Sequence, residues 1–339
     1  MCRVTFEFKG DRDFSKKHSI VSKTPIWACI EFTKRCNFNC IYCFAGEKTE
    51  GKNELTIEEY KTYFNKLKQL GFKQISLLGG EPLLREDFFE IARYAAEIGF
   101  VVHICSNGSL ITKDNARKIK EAGITQVQMN LDHILPSEHD RIRGFNGSYA
   151  LLLKAIENLK EVGVPIIIAT IAMKCNRTVI PEIFEFARKN ADSYRIWDML
   201  PAGTAINNQN EILSFNEYKN LNEELIKLSK DDNIMIRTAD PLISLLDSSI
   251  KHGACPAGEK MMYTSALGDI HYCSMDSKIF GNMRKQPIEN ILNSEEFTSN
   301  ILLKTCKKPD CKLITQCRGG CYLRQRDGVD QKCWIGKSG

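Results

Sequence analysis

No stretch of this 339-residue chain approaches the ~18 consecutive apolar residues of a membrane span. Its opening residues, MCRVTFEFKGDRDFSKKHS, lack the apolar core of a secretion signal. The expectation is therefore no membrane partner and a cytoplasmic location. Lys/Arg-rich runs are also missing, and 47 basic against 42 acidic residues leave a net charge of only +5, so no nucleic-acid partner is expected. Fourteen cysteines, about 4% of the chain, fall short of the ~8–10% of a disulfide scaffold, and a chain this long buries a core without covalent staples. With 43% hydrophobic and 26% charged residues, the composition excludes a disordered chain. In a reducing compartment the thiols serve as metal ligands, catalytic groups or small buried apolar residues rather than disulfides.

From Trp27 onward, short β-branched runs alternate with stretches of helical period, as in βα units of a parallel sheet. Strands are predicted at 27–33, 74–78, 101–106, 126–131, 165–173 and 193–200. Between them lie predicted helices, the first opened by Thr56 with Glu59 three residues on, a capping-box pair. Four helices stop at Gly71, Gly99, Gly123 and Gly163, where a chain leaving a helix turns left-handed. Six units are too few for a closed eight-stranded barrel, which leaves a partial (β/α)6 barrel or an open sheet. After Pro201 comes a polar loop, AGTAINNQNE, then a helix near 215–230 and a second apolar stretch after Pro241. From Cys255 the cysteines crowd and periodicity weakens, as in a small region held by metal. The expected division is an N-terminal extension 1–25, an α/β core 26–215, a helical linker 216–250 and a cysteine-rich α+β region 251–339.

The loop after the first strand, TKRCNFNCIYCF, sets Cys36, Cys40 and Cys43 in a C-x3-C-x2-C pattern. A structural zinc site takes four protein ligands, whereas three thiolates on one loop hold three corners of a 4Fe-4S cube. The fourth iron is then open to a small molecule that chelates through an amine and a carboxylate. Buried or zinc-binding cysteines are the plainer alternative. The loop's place at the C-terminal end of a first barrel strand, where active sites of such folds collect, favours the cluster. After the second strand, QISLLGGEP supplies Gly79, Gly80, Glu81 and Pro82; this is either a tight turn or a place where backbone approaches a ligand.

In this order the motifs resemble those of radical S-adenosylmethionine (SAM) enzymes over about Trp27 to Pro201. The resemblance implies a partial (β/α)6 TIM-like barrel whose cysteine loop binds a SAM-chelating 4Fe-4S cluster. It gives Gly79, Gly80, Glu81 and Pro82 a role at the SAM ammonium group, and it adds Ser106 and Asn107 from the SNG turn. NLDHILPSEHDRIRG resembles the family's SLD…HDxxR segment, so Asn130 stands in the ribose-binding position, Asp132 follows, and Arg143 pairs with the SAM carboxylate. Asn130 and Asp132 also suit a turn, and Arg143 a solvated charge. Tyr42 and Phe44 flank Cys43 and offer an aromatic wall for adenine. Arg195, Trp197 and Asp198 on the sixth strand face either the pocket or solvent.

Cys255, then Gly268 five positions before Cys273, then Cys306, Cys311, Cys317, Cys321 and Cys333 resemble the SPASM extension of the same family. One interval departs from its pattern: Cys306 and Cys311 are separated by four residues instead of two. The resemblance assigns Cys255, Cys273 and Cys321 to a nearer auxiliary 4Fe-4S cluster and Cys306, Cys311, Cys317 and Cys333 to a farther one, three clusters in all with SAM as co-substrate. The nearer cluster is one thiolate short, so its fourth iron is open or bound by Asp276, Glu259 or His271. Of the remaining thiols, Cys29, Cys105 and Cys175 lie in or just after apolar strands and are expected to pack as small hydrophobes; Cys2 is the fourth. The resemblance further implies an oxidoreductase fed by a flavodoxin- or ferredoxin-type donor that cleaves SAM to a 5′-deoxyadenosyl radical and oxidatively modifies a peptide or protein. The alternative substrate is a small molecule, with a tetrapyrrole side-chain decarboxylase the leading example. A non-catalytic iron-sulfur electron carrier is the third reading. No catalytic acid or base is assignable.

Overall fold

The computed structural model describes residues 26–46, 48–230 and 255–302, together with 235–238, 240, 242, 246, 306–308, 311–312, 314–317 and 319–334. Cys2 and the N-terminal extension lie outside the described residues, as does most of the stretch after Pro241. Six strands and their helices follow the predicted alternation: β1 (Trp27–Thr33), α1 (Ile57–Gln69), β2 (Gln74–Gly79), α2 (Phe88–Glu97), β3 (Val101–Cys105), α3 (Lys113–Glu121), β4 (Ile124–Asn130), α4 (Pro136–Arg143), α5 (Ser148–Glu161), β5 (Ile166–Ala172), α6 (Ile180–Asn190) and β6 (Ser193–Asp198). The capping box at Thr56 forms, with Thr56 Oγ1 accepting from Glu59 N at 3.3 Å and Glu59 accepting from Thr56 N at 2.8 Å. Gly71, Gly99, Gly123 and Gly163 all have positive φ, between 68° and 90°, the conformation that ends a helix without a Cβ clash.

Each of β1 to β6 lies beside and parallel to its predecessor. Right-handed crossovers between neighbouring strands must then put their helices on one face. The burial pattern agrees. Ala28, Ile30, Phe32, Ile75 and Leu77 join the apolar core with Tyr60, Phe64 and Leu67 of α1. Side chains alternate across a strand, so Cys29, Glu31, Ser76, His103, Gln128 and Arg195 lie on the opposite face. That face is polar and linked laterally: Trp27 Nε1 donates to Ser76 Oγ (2.8 Å), Gln74 Nε2 meets His103 Nδ1 (3.0 Å), and Arg195 Nη1 donates to Gln128 Oε1 (2.6 Å).

The sheet extends beyond the six predicted strands. After α7 (Phe215–Lys230), β7 (Met235–Thr238) pairs parallel with β6; β8 (Met261–Thr264) pairs parallel with β1. Antiparallel β9 (Asp269–His271) and β10 (Gly281–Asn282) complete a ten-stranded order, β10-β9-β8-β1-β2-β3-β4-β5-β6-β7. The cysteine-rich region therefore grows out of the β1 edge of the core sheet. Periodicity could not show this, because β8 and β9 are four and three residues long and carry too few side chains to display a pattern.

Candidate functional site

The C-terminal ends of β1 to β6 and their loops form the site. The cysteine loop leaves β1 and is held from three sides. On the first, Gly80 N donates to Thr33 O (2.7 Å) and Glu81 N to Arg35 O (2.8 Å). Both glycines are demanded by this contact: a Cβ on Gly79 would stand 2.4 Å from Thr33 O, and one on Gly80 2.0 Å from Arg35 O. The close approach expected of the Gly-Gly turn is thus made to the chain's own cysteine loop. Gly80→Ala is expected to cost about 1–3 kcal/mol through this overlap, read as a lowered denaturant midpoint, with the entry to Cys36 displaced.

On the second side the loop meets the end of α4. Asn39 N donates to Arg143 O (3.1 Å) and Ile41 N to Ile142 O (3.0 Å), and Phe38 stacks on Phe145 with ring centroids 4.5 Å apart. On the third side, residues 203–211 close over it. Thr204 Oγ1 donates to Cys40 O (3.0 Å) and Cys43 O (3.2 Å), and Asn208 Nδ2 to Ile41 O (2.9 Å). Gly203 is needed for the fit, since a Cβ there would lie 2.3 Å from Cys43 O. Sequence reasoning read this segment only as a polar loop. Its one signal was composition, since Gly, Thr and Asn suit backbone capping.

Glu81 is fully buried and turns inward. It accepts from Ser106 Oγ (2.9 and 3.1 Å), Asn107 N (2.7 Å) and Leu83 N (3.2 Å). Burial pushes its carboxyl up to about 7 against the pull of these donors. Pro82 opens a short 3-10 turn, Pro82–Leu84. Asn107 Nδ2 donates to Asn37 Oδ1 (2.8 Å) and stands 4.0 Å from Cys36 Sγ. Ser106 and Asn107 thus join Glu81 to the cysteine loop.

Tyr42, Asp132 and Arg143 form one largely buried, hydrogen-bonded group. Tyr42 Oη donates to Asp132 Oδ2 (2.6 Å), Arg143 Nη1 donates to Tyr42 Oη, and Arg143 Nη1 stands 3.5 Å from Asp132 Oδ2. The guanidinium lies over the Phe38 and Tyr42 rings, 5.5 and 5.8 Å from their centroids. Arg143 is 6% exposed, which overturns the solvated alternative. Asn130 ends β4 two residues before Asp132, and burial raises the Asp132 carboxyl against the pull of Arg143. Phe44 is half-buried, its carbonyl 2.5 Å from a Cβ placed on Gly203. On β6, Arg195 and Trp197 share the polar face, 5.4 Å apart. Asp198 points to the other side, where it accepts from Arg324 Nη1 (3.1 Å) and Lys332 Nζ (2.5 Å).

The thiols fall into groups that feel one another's charge. Cys36, Cys40 and Cys43 form one. Cys255, Cys273 and Cys321 are linked through Cys321, and Cys306, Cys317 and Cys333 through Cys317. Cys311 sits at a turn, where its carbonyl accepts from Ile314 N (3.2 Å). Burial pushes Cys40 and Cys321 up to about 12 and Cys273 and Cys317 to about 11, so the free thiols stay protonated. Cys29 is buried, as expected of a small hydrophobe, and Cys105 is half-buried; both lie on the polar face near Arg195.

Comparison with known proteins gives the family. Residues 30–187 match the Radical SAM superfamily, and residues 255–322 match the SPASM iron-sulfur cluster-binding domain. The chain is a radical SAM enzyme with a C-terminal SPASM domain. An AdoMet-dependent heme synthase of Methanosarcina barkeri is 27% identical over 92% of this chain and 96% of its own. Mycofactocin maturase MftC of Mycolicibacterium smegmatis is 24% identical over 91% of this chain and 82% of its own. Among solved structures, Streptococcus suis SuiB bound to its precursor peptide SuiA superposes with a TM-score of 0.77 at 19% identity, covering 92% of this chain and 76% of that one. The sheet with its one-sided helices is accordingly the radical SAM fold, and no described helix is long and apolar enough to cross a membrane.

The two domains of this radical SAM enzyme imply 4Fe-4S clusters and SAM binding. Among the described residues no three His, Cys, Asp or Glu side chains close on one point as around a single ion. A cube asks for something else, since its thiolates bind separate irons. The loop fits that demand: three thiols follow one another on a backbone pinned on three sides, with Asn107 Nδ2 near the Cys36 sulfur.

Proposed function

We propose that this enzyme holds three 4Fe-4S clusters and oxidatively modifies a peptide or protein. Cys36, Cys40 and Cys43 hold the first; Cys255, Cys273 and Cys321 hold the nearer auxiliary cluster, and Cys306, Cys311, Cys317 and Cys333 the farther one. The chemistry supplied when the first site is loaded is one-electron cleavage of SAM to methionine and a 5′-deoxyadenosyl radical, with a flavodoxin- or ferredoxin-type donor in the cytoplasm providing the electron. The chain's own residues do the positioning. Gly79, Gly80 and Pro82 shape the turn beside the cluster loop, and Glu81 fixes Ser106 and Asn107 under it. Arg143, neutralised in part by Asp132, keeps a planar cation at the loop for the SAM carboxylate. Asn130 stands at the ribose position, at the end of β4. Tyr42 and Phe44 flank Cys43 on the adenine side. The domain boundaries proposed are those expected from the sequence, with the radical SAM core at 26–215 and the SPASM domain at 251–339.

The observation that carries the peptide reading is the similarity to MftC, named a maturase, which matches over 91% of this chain and 82% of its own. A second reading, a tetrapyrrole carboxylate as substrate, is favoured by the heme synthase that aligns over 96% of its length. Both are tested by incubating the anaerobically reconstituted enzyme, SAM and a low-potential reductant with either a short peptide encoded beside its gene or an iron porphyrin bearing propionates. A peptide that loses hydrogen supports the first reading. Loss of carbon dioxide from the porphyrin, with the peptide unchanged, replaces it by the second.

A further inference from the structure

We propose that the carboxylate of Asp276, oriented by the Tyr322 hydroxyl, is the fourth protein ligand of the nearer auxiliary cluster; this rests on the assignment of Cys255, Cys273 and Cys321 to that cluster. Those three thiols leave one iron of a cube without a sulfur ligand, and no other cysteine lies between Cys255 and Cys273. Asp276 is one turn beyond Cys273, its N–H donating to Cys273 O at 3.1 Å. Tyr322, the residue after Cys321, donates its hydroxyl to Asp276 Oδ2 at 2.7 Å. Asp276 is thus tied beside two of the three thiols, through its backbone at Cys273 and through its carboxylate at Tyr322, next to Cys321. Oδ1 accepts from Lys278 N at 3.0 Å. Each oxygen has two acceptor positions, so both keep a lone pair for iron.

His271 is the rival, with its buried Nδ1 lacking a hydrogen-bond partner among the described residues. Its ring, however, lies against Tyr263 at 5.7 Å, a residue of β8.

The test uses the full chain, reconstituted anaerobically and compared by iron content, electron paramagnetic resonance and potentiometry. Asp276→Ala is expected to fall from about twelve to about eleven irons per chain and to alter one auxiliary signal. Asp276→Cys restores the iron with a shifted potential. Asp276→Asn, which keeps the shape of the side chain, tests ligation without a packing defect and is also expected to change that signal. Tyr322→Phe keeps the iron and shifts the same signal. Unchanged iron, spectrum and potential in Asp276→Ala and Asp276→Asn would overturn the proposal, as would loss of that iron in His271→Ala alone. If replacing Cys255, Cys273 and Cys321 together removes no iron, the cluster assignment itself falls.

Discussion

Protein carrying alanine at Cys36, Cys40 and Cys43 is expected to release no 5′-deoxyadenosine above background from SAM and a low-potential reductant, while retaining about eight of about twelve irons. The loss is total because these thiols are the whole protein contribution to the first cluster in the proposed assignment. The fold survives because the loop's shape rests chiefly on its backbone, with Cys36 Sγ accepting, among the described residues, only from Phe38 N (3.5 Å) and Asn107 Nδ2 (4.0 Å). Asn39 N, Ile41 N, Thr204 and Asn208 bond to or from its backbone, and Phe38 stacks on Phe145. Burial also keeps the free Cys40 and Cys43 thiols protonated, so their removal leaves no buried charge unpaired. Iron analysis and product chromatography check both halves. Retained cleavage would remove the loop from the reaction, and loss of all iron would show that the auxiliary region depends on it.

The largest stability effect is expected at Arg324. Its guanidinium is 8% exposed and reaches Asp198 (3.1 Å) and Asp240 (2.6 Å) through Nη1, and Asp330 (2.8 Å) through Nη2. Lys332 adds a second cation on Asp198. Removing one partner of a buried ionic group costs roughly 3–5 kcal/mol, because the remaining charges stay buried without compensation. Arg324→Ala leaves three carboxylates facing one ammonium group, so the upper part of that range is expected, read as a fall in the denaturant midpoint. Arg324→Lys should recover only part, since one ammonium cannot reproduce the fork that spans three carboxylates. Asp198 ends β6 and Asp330 follows the Gly319–Gly320 turn. The network therefore fastens the cysteine-rich region to the barrel, and detachment should lower auxiliary iron retention as well. A midpoint unchanged in Arg324→Ala would show that the network contributes specificity without stability.

Much of the barrel was legible in the chain. The first strand was read with its observed bounds, Trp27–Thr33, and the helix stops were marked by glycines, because β-branched runs, caps and positive-φ residues act within a few residues of themselves. The departures share one cause. Arg195, Trp197 and Asp198 looked equivalent at the end of β6, yet the alternation of the strand sends Asp198 away from the other two toward Arg324 and Lys332. Arg143 read as either a SAM contact or a solvated charge, until the fold carried Tyr42 and Asp132 to it. Thr204 carried no motif at all, and its role lies 161 to 164 residues away along the chain.

By itself the sequence determined that fourteen thiols could not be a disulfide framework, and that three of them share one loop at a strand end. It also ordered the remaining cysteines of the SPASM region. Those are properties of composition and spacing. Only the tertiary structure decided that β8 extends the core sheet at β1 and that residues 203–211 close over the cysteine loop. The physical reason is that spacing constrains a backbone over a turn or two, whereas strand pairing and side-chain capping join segments such as Thr204 and Cys40, 164 residues apart in the chain.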